Sequence, residues 1–226
     1  MDKKQNLNSE ALITLSGEES EATTNYRMLF AKVDSLCRAG DKKLIAVTSS
    51  IKGEGKTTTV ANLAIVAARD FGRRCLVLDG DSKSPALGKR FGFVNEPGII
   101  NVIKRECVLS SVLKRGPVDN LAVLPLGKSG SRDNSIWVME EIDIILRELS
   151  AWFDYIFVDT PPILPLFDMN IISEKVHAII VVARSGETSR VLLEEAIKSL
   201  GSKKVIGSVL NGYTRPWGAG NYGYGY

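Results

Sequence analysis

Histidine is nearly absent: His177 is the only one, at the head of an apolar run, which argues against a histidine-dependent catalytic triad. Cysteine is scarce as well. Cys37, Cys75 and Cys107 are odd in number, far apart and in no metal-ligand spacing, so they build neither a disulfide framework nor a zinc or iron–sulfur site and read as reduced cytosolic thiols. No apolar run reaches the ~18 to 20 residues that cross a bilayer, and the opening Met1-Asp2-Lys3-Lys4-Gln5-Asn6 is no signal peptide. A role at a membrane would need a partner. Charge of one sign is also missing: the net value is +3, without a Lys/Arg block of the kind laid on nucleic-acid backbones, so no nucleic-acid partner is expected. What remains is ordinary for a soluble globular protein, 44% hydrophobic and 24% charged over 226 residues, enough for one large α/β domain.

The most informative stretch is Ser49-Ser50-Ile51-Lys52-Gly53-Glu54-Gly55-Lys56-Thr57-Thr58, between the apolar run Leu44–Val47 and a helical pattern that begins at Thr59. Strand, glycine-rich loop and helix bring free backbone N–H groups and a positive helix end to one point, the arrangement a phosphate needs. Gly53 and Gly55 let the backbone approach the oxygens, Lys56 reaches the β and γ phosphates, and the Thr57 hydroxyl ligates Mg²⁺. Ser50 stands where the usual motif has its first glycine. A Gly-Lys-Thr turn without ligand is the other reading of this stretch alone.

Two further runs end in acids. Cys75-Leu76-Val77-Leu78 is wholly apolar, the pattern of a strand buried on both faces, and delivers Asp79-Gly80-Asp81 to the carboxyl edge of a sheet. Alternation turns Asp79 and Asp81 to one side if the chain stays extended, where a Mg²⁺ or a proton-accepting role would suit them; a solvated Asp-Gly turn has the same spacing. Tyr155-Ile156-Phe157-Val158 leads likewise to Asp159-Thr160-Pro161-Pro162, like a Walker B segment whose carboxylate orients a water on Mg²⁺, although a helix cap or turn reads equally well.

The remaining pattern is of strands and helices in alternation. Residues 1–20 form a loose polar leader with Ser20 as a possible cap, and a helix follows with Tyr26, Leu29, Phe30, Val33 and Leu36 on its buried face. Val60, Leu63, Ala64, Ala67 and Phe71 give the next helix face, ended by Gly72. Residues 82–118 are irregular, with scattered surface lysines and arginines. Leu121–Leu124 reads as a strand and Ser135–Ala151 as one amphipathic helix. Strands at Ala178–Ala183 and Val205–Leu210 flank a helix from Thr188 to Leu200, and the second leads to Asn211, whose amide is placed to hydrogen-bond a nucleotide base. This order predicts a doubly wound, mostly parallel sheet with helices on both faces, domain boundaries at 21–212, and a flexible tail over 213–226. Three of the six tyrosines, Tyr222, Tyr224 and Tyr226, fall in the last five residues, alternating with Gly223 and Gly225.

Taken together, Gly53 to Thr58, Asp79 to Asp81, Asp159 to Pro162, Val209 to Asn211 and the tyrosine tail resemble the bacterial tyrosine kinases of capsule and exopolysaccharide systems, a branch of the deviant P-loop ATPases. The resemblance covers about residues 20–226. It implies an ATP- and Mg²⁺-dependent autokinase that phosphorylates tail tyrosines of a neighbouring copy. It places Gly53, Glu54, Gly55, Lys56, Thr57, Thr58 and Asn211 on the nucleotide, and Thr57, Asp81 and Asp159 around the metal. Asp79 becomes the base, and Tyr222, Tyr224 and Tyr226 the acceptors, with Tyr213 a lesser one. It also implies a membrane-bound activator that sets polysaccharide chain length and recruits a cytoplasmic chain to the inner face of the membrane. Lys83 stands where relatives commonly carry arginine, and Thr24, Arg27 and Phe30 replace a Glu-x-x-Arg-x-x-Arg pattern used between subunits. The alternative is a positioning or partitioning ATPase that dimerises on nucleotide; Ile51 occupies the position of its signature lysine.

Overall fold

In the computed structural model the described residues are 12–15, 19–38, 43–128, 135–164, 167–201 and 204–214. The acceptor candidates Tyr222, Tyr224 and Tyr226 lie outside them. Seven strands form one sheet: β1 (Leu44–Ser49), β2 (Cys75–Asp79), β3 (Lys114–Arg115), β4 (Leu121–Leu124), β5 (Tyr155–Asp159), β6 (Ala178–Arg184) and β7 (Val205–Asn211), in the order β3-β4-β2-β5-β1-β6-β7. All neighbours run parallel except β3 against β4. The two-residue β3 was not foreseen; so short a segment carries no period of its own and is recruited by the exposed edge of β4.

The strands form because their apolar runs have two faces to bury. Ala46, Leu78, Val158 and Val181 point to one side, with α4 (Ile99–Ile103), α5 (Leu109–Val112), α6 (Glu141–Trp152), α7 (Phe167–Lys175) and α8 (Arg190–Ser199) covering them. Val47, Val77, Phe157 and Val182 point to the other, under α1 (Glu21–Arg38), α2 (Lys56–Arg69) and α3 (Leu87–Arg90). Strands buried on both faces read as continuous hydrophobic runs, which is why the doubly wound sheet was visible beforehand. From β1 the chain winds toward β2 and β4, and from β5 toward β6 and β7, so the winding reverses beside the β1–β5 pair. A crevice at the carboxyl edge follows from that reversal.

Several boundaries and faces move. Helix α2 starts at Lys56 rather than Thr59, because Gly55 at φ 96° turns the chain straight into it. Its turn ends as expected at Gly72, φ 63°, with Arg73 N–H on the Ala67 carbonyl at 3.1 Å, but Phe71 is exposed rather than on the buried face. In α1 the buried stripe runs through Phe30, Val33 and Cys37; Leu36 faces out, one position off the stripe, and Ser20 accepts the Thr23 N–H at 3.1 Å as the cap. The stretch from Ser135 is broken: a 3₁₀ turn at Ile136–Val138 precedes α6, since Met139 leaves helical angles with ψ 137°.

Part of the leader is ordered. Leu12 is 1% exposed within the α1–α2 core, and Thr14 donates its N–H at 3.0 Å and its hydroxyl at 2.9 Å to Asn62 Oδ1 of α2. Arg69 adds a bond to the Thr14 carbonyl. Leu12, Ile13 and Leu15 form a run too short to carry a period in an otherwise polar leader, so this docking was not legible. Among the described residues no helix is long and apolar enough to cross a membrane. His177 is structural, its Nδ1 accepting the Leu44 N–H at 3.1 Å.

Candidate active site

The loop between β1 and α2 is shaped by two glycines at φ 96°, Gly53 and Gly55, a conformation that side chains with Cβ rarely take. No side chain caps α2, which leaves its first-turn N–H groups directed at an anion. Lys56, Thr57 and Thr58 form that first turn, and Thr58 gives its carbonyl to Asn62 at 2.8 Å. Ser50, in the first-glycine position, is fully buried with its hydroxyl free of any partner.

The acids arrive from neighbouring strands. Asp79 and Asp159 are direct register partners at the ends of β2 and β5, and Gly80 N–H closes on the Asp159 carbonyl at 2.8 Å. Thr57 donates its hydroxyl to Asp159 Oδ2 at 2.6 Å, while Asp159 Oδ1 is buried without a hydrogen-bond partner. Lys56 Nζ stands 3.2 Å from Asp81 Oδ2, an oxygen that likewise has no hydrogen bond. Asp81 Oδ1 is held by the N–H groups of Lys83 and Ser84 at 3.2 and 3.0 Å. Asp79, Asp81 and Asp159 are each 1% exposed, which overturns the solvated-turn reading.

Burial is costly for such a set. Asp79 is pushed up to about 7, first by desolvation and then by the charge of Asp159, against the pull of the Leu87 N–H at 3.0 Å on its Oδ2. Asp159 is pushed up to about 6 by desolvation, with Lys56 and the Thr57 hydroxyl pulling it down and Asp81 pushing it up. Two oxygens lacking partners, facing a lysine and a threonine hydroxyl, suit a hard divalent cation that prefers oxygen ligands and keeps several waters. The residues therefore fit Mg²⁺, with Thr57, Asp81 and Asp159 as its surroundings. Beside Asp79 opens a cavity of about 530 Å³, walled by Pro85, Phe93 and Pro125 and rimmed by Lys89 and Lys128.

The structure thus gathers Lys56, Thr57, Asp79, Asp81 and Asp159 at one edge. Asn211 is drawn in as well, but onto the loop itself: its Nδ2 donates to the Glu54 carbonyl at 3.0 Å. Sequence reasoning missed three supports. Trp137 donates Nε1 to the Gly80 carbonyl at 2.9 Å, and Thr160 donates its hydroxyl to the Val47 carbonyl at 3.0 Å. The Glu54 carboxylate, 2% exposed within its residue, accepts the Ile51 N–H at 2.9 Å and the Thr188 hydroxyl. Glu54 and Thr160 fall inside motifs that the sequence marks, though for other roles, while nothing in it singles out Trp137. Lys83, expected as a surface charge, is largely exposed yet pairs with Asp168 Oδ2 at 2.6 Å.

Known proteins resemble this chain in sequence and in fold. Residues 42–190 match the family model described as an AAA domain. The tyrosine-protein kinase CpsD of Streptococcus pneumoniae is 34% identical over 177 residues, 76% of this chain and 78% of that protein. The kinase domain of the Escherichia coli tyrosine kinase ETK has a fold of TM-score 0.87 at 20% identity, covering all of this chain and 88% of that one. The septum-site-determining protein MinD of Pyrococcus horikoshii, solved with Mg-ADP, has a fold of TM-score 0.63 at 23% identity, over 77% of this chain and 72% of that one.

Proposed function

The chain belongs to the family of bacterial tyrosine-protein kinases built on a P-loop ATPase domain, and from that premise we propose that it moves the γ-phosphoryl of ATP onto tyrosines of the C-terminal tail of a neighbouring copy. One juxtaposition carries the reading: the Lys56–Asp81 ion pair and the Thr57–Asp159 hydrogen bond meet at the edge where Asp79 borders an open cavity. Phosphoryl transfer needs little covalent help and much positioning, so these groups are chemically sufficient.

Lys56, now on Asp81, turns to the β and γ phosphates, which the loop amides also hold. Thr57, Asp81 and Asp159 would hold Mg²⁺, which when bound would supply positive charge against the phosphates. Asp79 accepts the tyrosine hydroxyl proton; the phenolic oxygen forms its bond to the γ phosphorus as the bond to the β-phosphate oxygen breaks, and ADP departs. An Asp79 raised to about 7 is a stronger base than an ordinary carboxylate and is poised near the working pH. The adjoining cavity of about 530 Å³ has room for a phenol. Tyr222, Tyr224 and Tyr226 are the acceptors. Tyr213, 58% exposed just after β7, is a lesser one.

In the cell we place the activity in polysaccharide synthesis and export, with a membrane-bound activator that recruits this chain to the inner face of the membrane.

Intact mass after expression, with and without Lys56→Met, followed by mapping of the tail, tests the proposal. Phosphate additions on Tyr222, Tyr224 or Tyr226 that vanish in the variant are expected. The likeness to MinD favours a second reading, an ATPase switch. ATP-dependent dimerisation with steady hydrolysis, unchanged when the three tail tyrosines become phenylalanine and without tail phosphate even when activator is added, would establish it instead.

A further inference from the structure

Asn211 closes β7 at the rim of the site, where its amide was expected to meet the base of a nucleotide. Its contacts are with the phosphate loop. Nδ2 donates to the Glu54 carbonyl at 3.0 Å, and it lies so close over the following residue that a Cβ on Gly55 would stand 1.9 Å from it. The main-chain carbonyl of Asn211 accepts the Ser185 N–H at 2.9 Å, so the strand end and the β6–α8 turn are tied together as well.

That turn grips the other side of the same loop. Glu54 divides its carboxylate between the Ile51 N–H at 2.9 Å and the Thr188 hydroxyl. Thr188 Oγ1 in turn accepts the Arg184 N–H at 2.8 Å, and Arg184 Nη1 donates to the Gly53 carbonyl at 3.2 Å. The loop from Ile51 to Gly55 is therefore held at two carbonyls, Gly53 by Arg184 and Glu54 by Asn211, and at the Glu54 carboxylate by Thr188. A buried carboxylate beside a triphosphate is electrostatically unfavourable. What Glu54 contributes to a phosphate site must accordingly be shape.

We propose that Asn211 and the Glu54–Thr188 pair form a clamp that fixes the phosphate loop in its anion-accepting form, making Asn211 a positioning residue for the phosphates and not a reader of the base. The inference rests on the loop being a triphosphate site. A base reader and a loop clamp differ in one observable. Inorganic tripolyphosphate carries the phosphates without base or ribose, so a base reader contributes nothing to its affinity, whereas a loop clamp contributes equally to both ligands.

The test is binding by calorimetry of Mg-ATP and Mg-tripolyphosphate to the full chain, to Asn211→Ala and to Thr188→Val. Thr188→Val leaves Asn211 in place and removes only the hydroxyl that donates to Glu54 and accepts the Arg184 N–H. The expected result is a weakening of roughly fivefold or more for both ligands and by the same factor, in each variant, the size of a lost hydrogen bond. A loss in Asn211→Ala confined to ATP, or affinities unchanged in both variants, overturns the clamp. If Asn211→Ala fails to fold by circular dichroism, Thr188→Val decides alone: parallel loss supports the clamp and unchanged tripolyphosphate affinity overturns it. A wild-type chain that binds neither ligand would fail the triphosphate reading itself and the clamp with it, a result distinguishable from either outcome above.

Discussion

Trp137 lies beneath Gly80 and gives its indole N–H to the Gly80 carbonyl at 2.9 Å, while a Cβ on Gly80 would stand 2.7 Å from the indole ring and 2.9 Å from the Asp159 carbonyl. The bend that carries Asp79 and Asp81 is thus pressed between a tryptophan and the neighbouring strand. Trp137→Phe removes the donor and part of the ring's volume. A loss of roughly 1 to 3 kcal/mol in urea unfolding is expected from the stranded carbonyl and the small cavity. Gly80→Ala overlaps backbone and ring at once, and is expected to lower phosphoryl transfer more than it lowers ATP affinity, read as a fall in kcat with KM for ATP little changed.

The acids beneath that bend make stability depend on pH in the absence of divalent cation. Asp79 and Asp159 sit at about 7 and about 6 in the fold, above their ordinary value, so between about pH 4 and 7 the native state holds protons that the unfolded chain has released. Stability is therefore greatest below that window and falls as pH rises through it, by up to about 1.4 kcal/mol per pH unit for each proton involved. Urea unfolding in EDTA between pH 4.5 and 7.5 should show the decline. Asp79→Asn, which keeps the shape without the charge, should flatten it; an unchanged slope in that variant would refute the assignment.

Docking of residues 12–15 gives a third test. Leu12 is buried against α1 and α2, and Asn62 bonds Thr14 on one side and the Thr58 carbonyl on the other. Leu12→Ala should cost about 2 kcal/mol or more, as for a buried leucine truncated in a packed core. If residues 12–15 were a loose leader, the change would be within about 0.5 kcal/mol, the range of surface substitutions.

That contrast shows what a sequence can carry. Strands such as Leu76–Leu78 and Ile156–Val158 were legible because burial on both faces forces a continuous apolar run, and the acids at their ends were legible because the runs stop there. The glycine spacing also placed Lys56 and Thr57 where the loop meets the helix. Thr14, Trp137 and Thr188 were not legible, since each acts through a partner at least forty residues away, and nothing local marks a residue for a contact of that kind. Helix starts failed for a related reason: the turn at Gly55 is defined by its positive φ, and an apolar period only reports the helix once its buried face begins.

The last prediction separates stability from catalysis at the Lys56–Asp81 pair. With side chains only 11% and 2% exposed, the two charges are largely removed from water, and Asp81 Oδ2 has no hydrogen bond in reserve. Lys56→Met leaves Asp81 charged and alone, and should cost about 3 kcal/mol in cation-free buffer, the usual consequence of breaking a buried pair from one side. Adding Asp81→Asn to that variant replaces the stranded charge with a neutral amide of the same size. Most of the lost stability should return, so that the double variant unfolds at a urea midpoint close to the wild type while the two single changes do not add. Activity should not return with it. On the proposed mechanism Lys56 and Asp81 both act around the phosphates, so tail phosphorylation should stay below detection in Lys56→Met and in the double variant alike. Recovery of phosphorylation together with stability would mean that Lys56 supports the fold and leaves the phosphates to other groups.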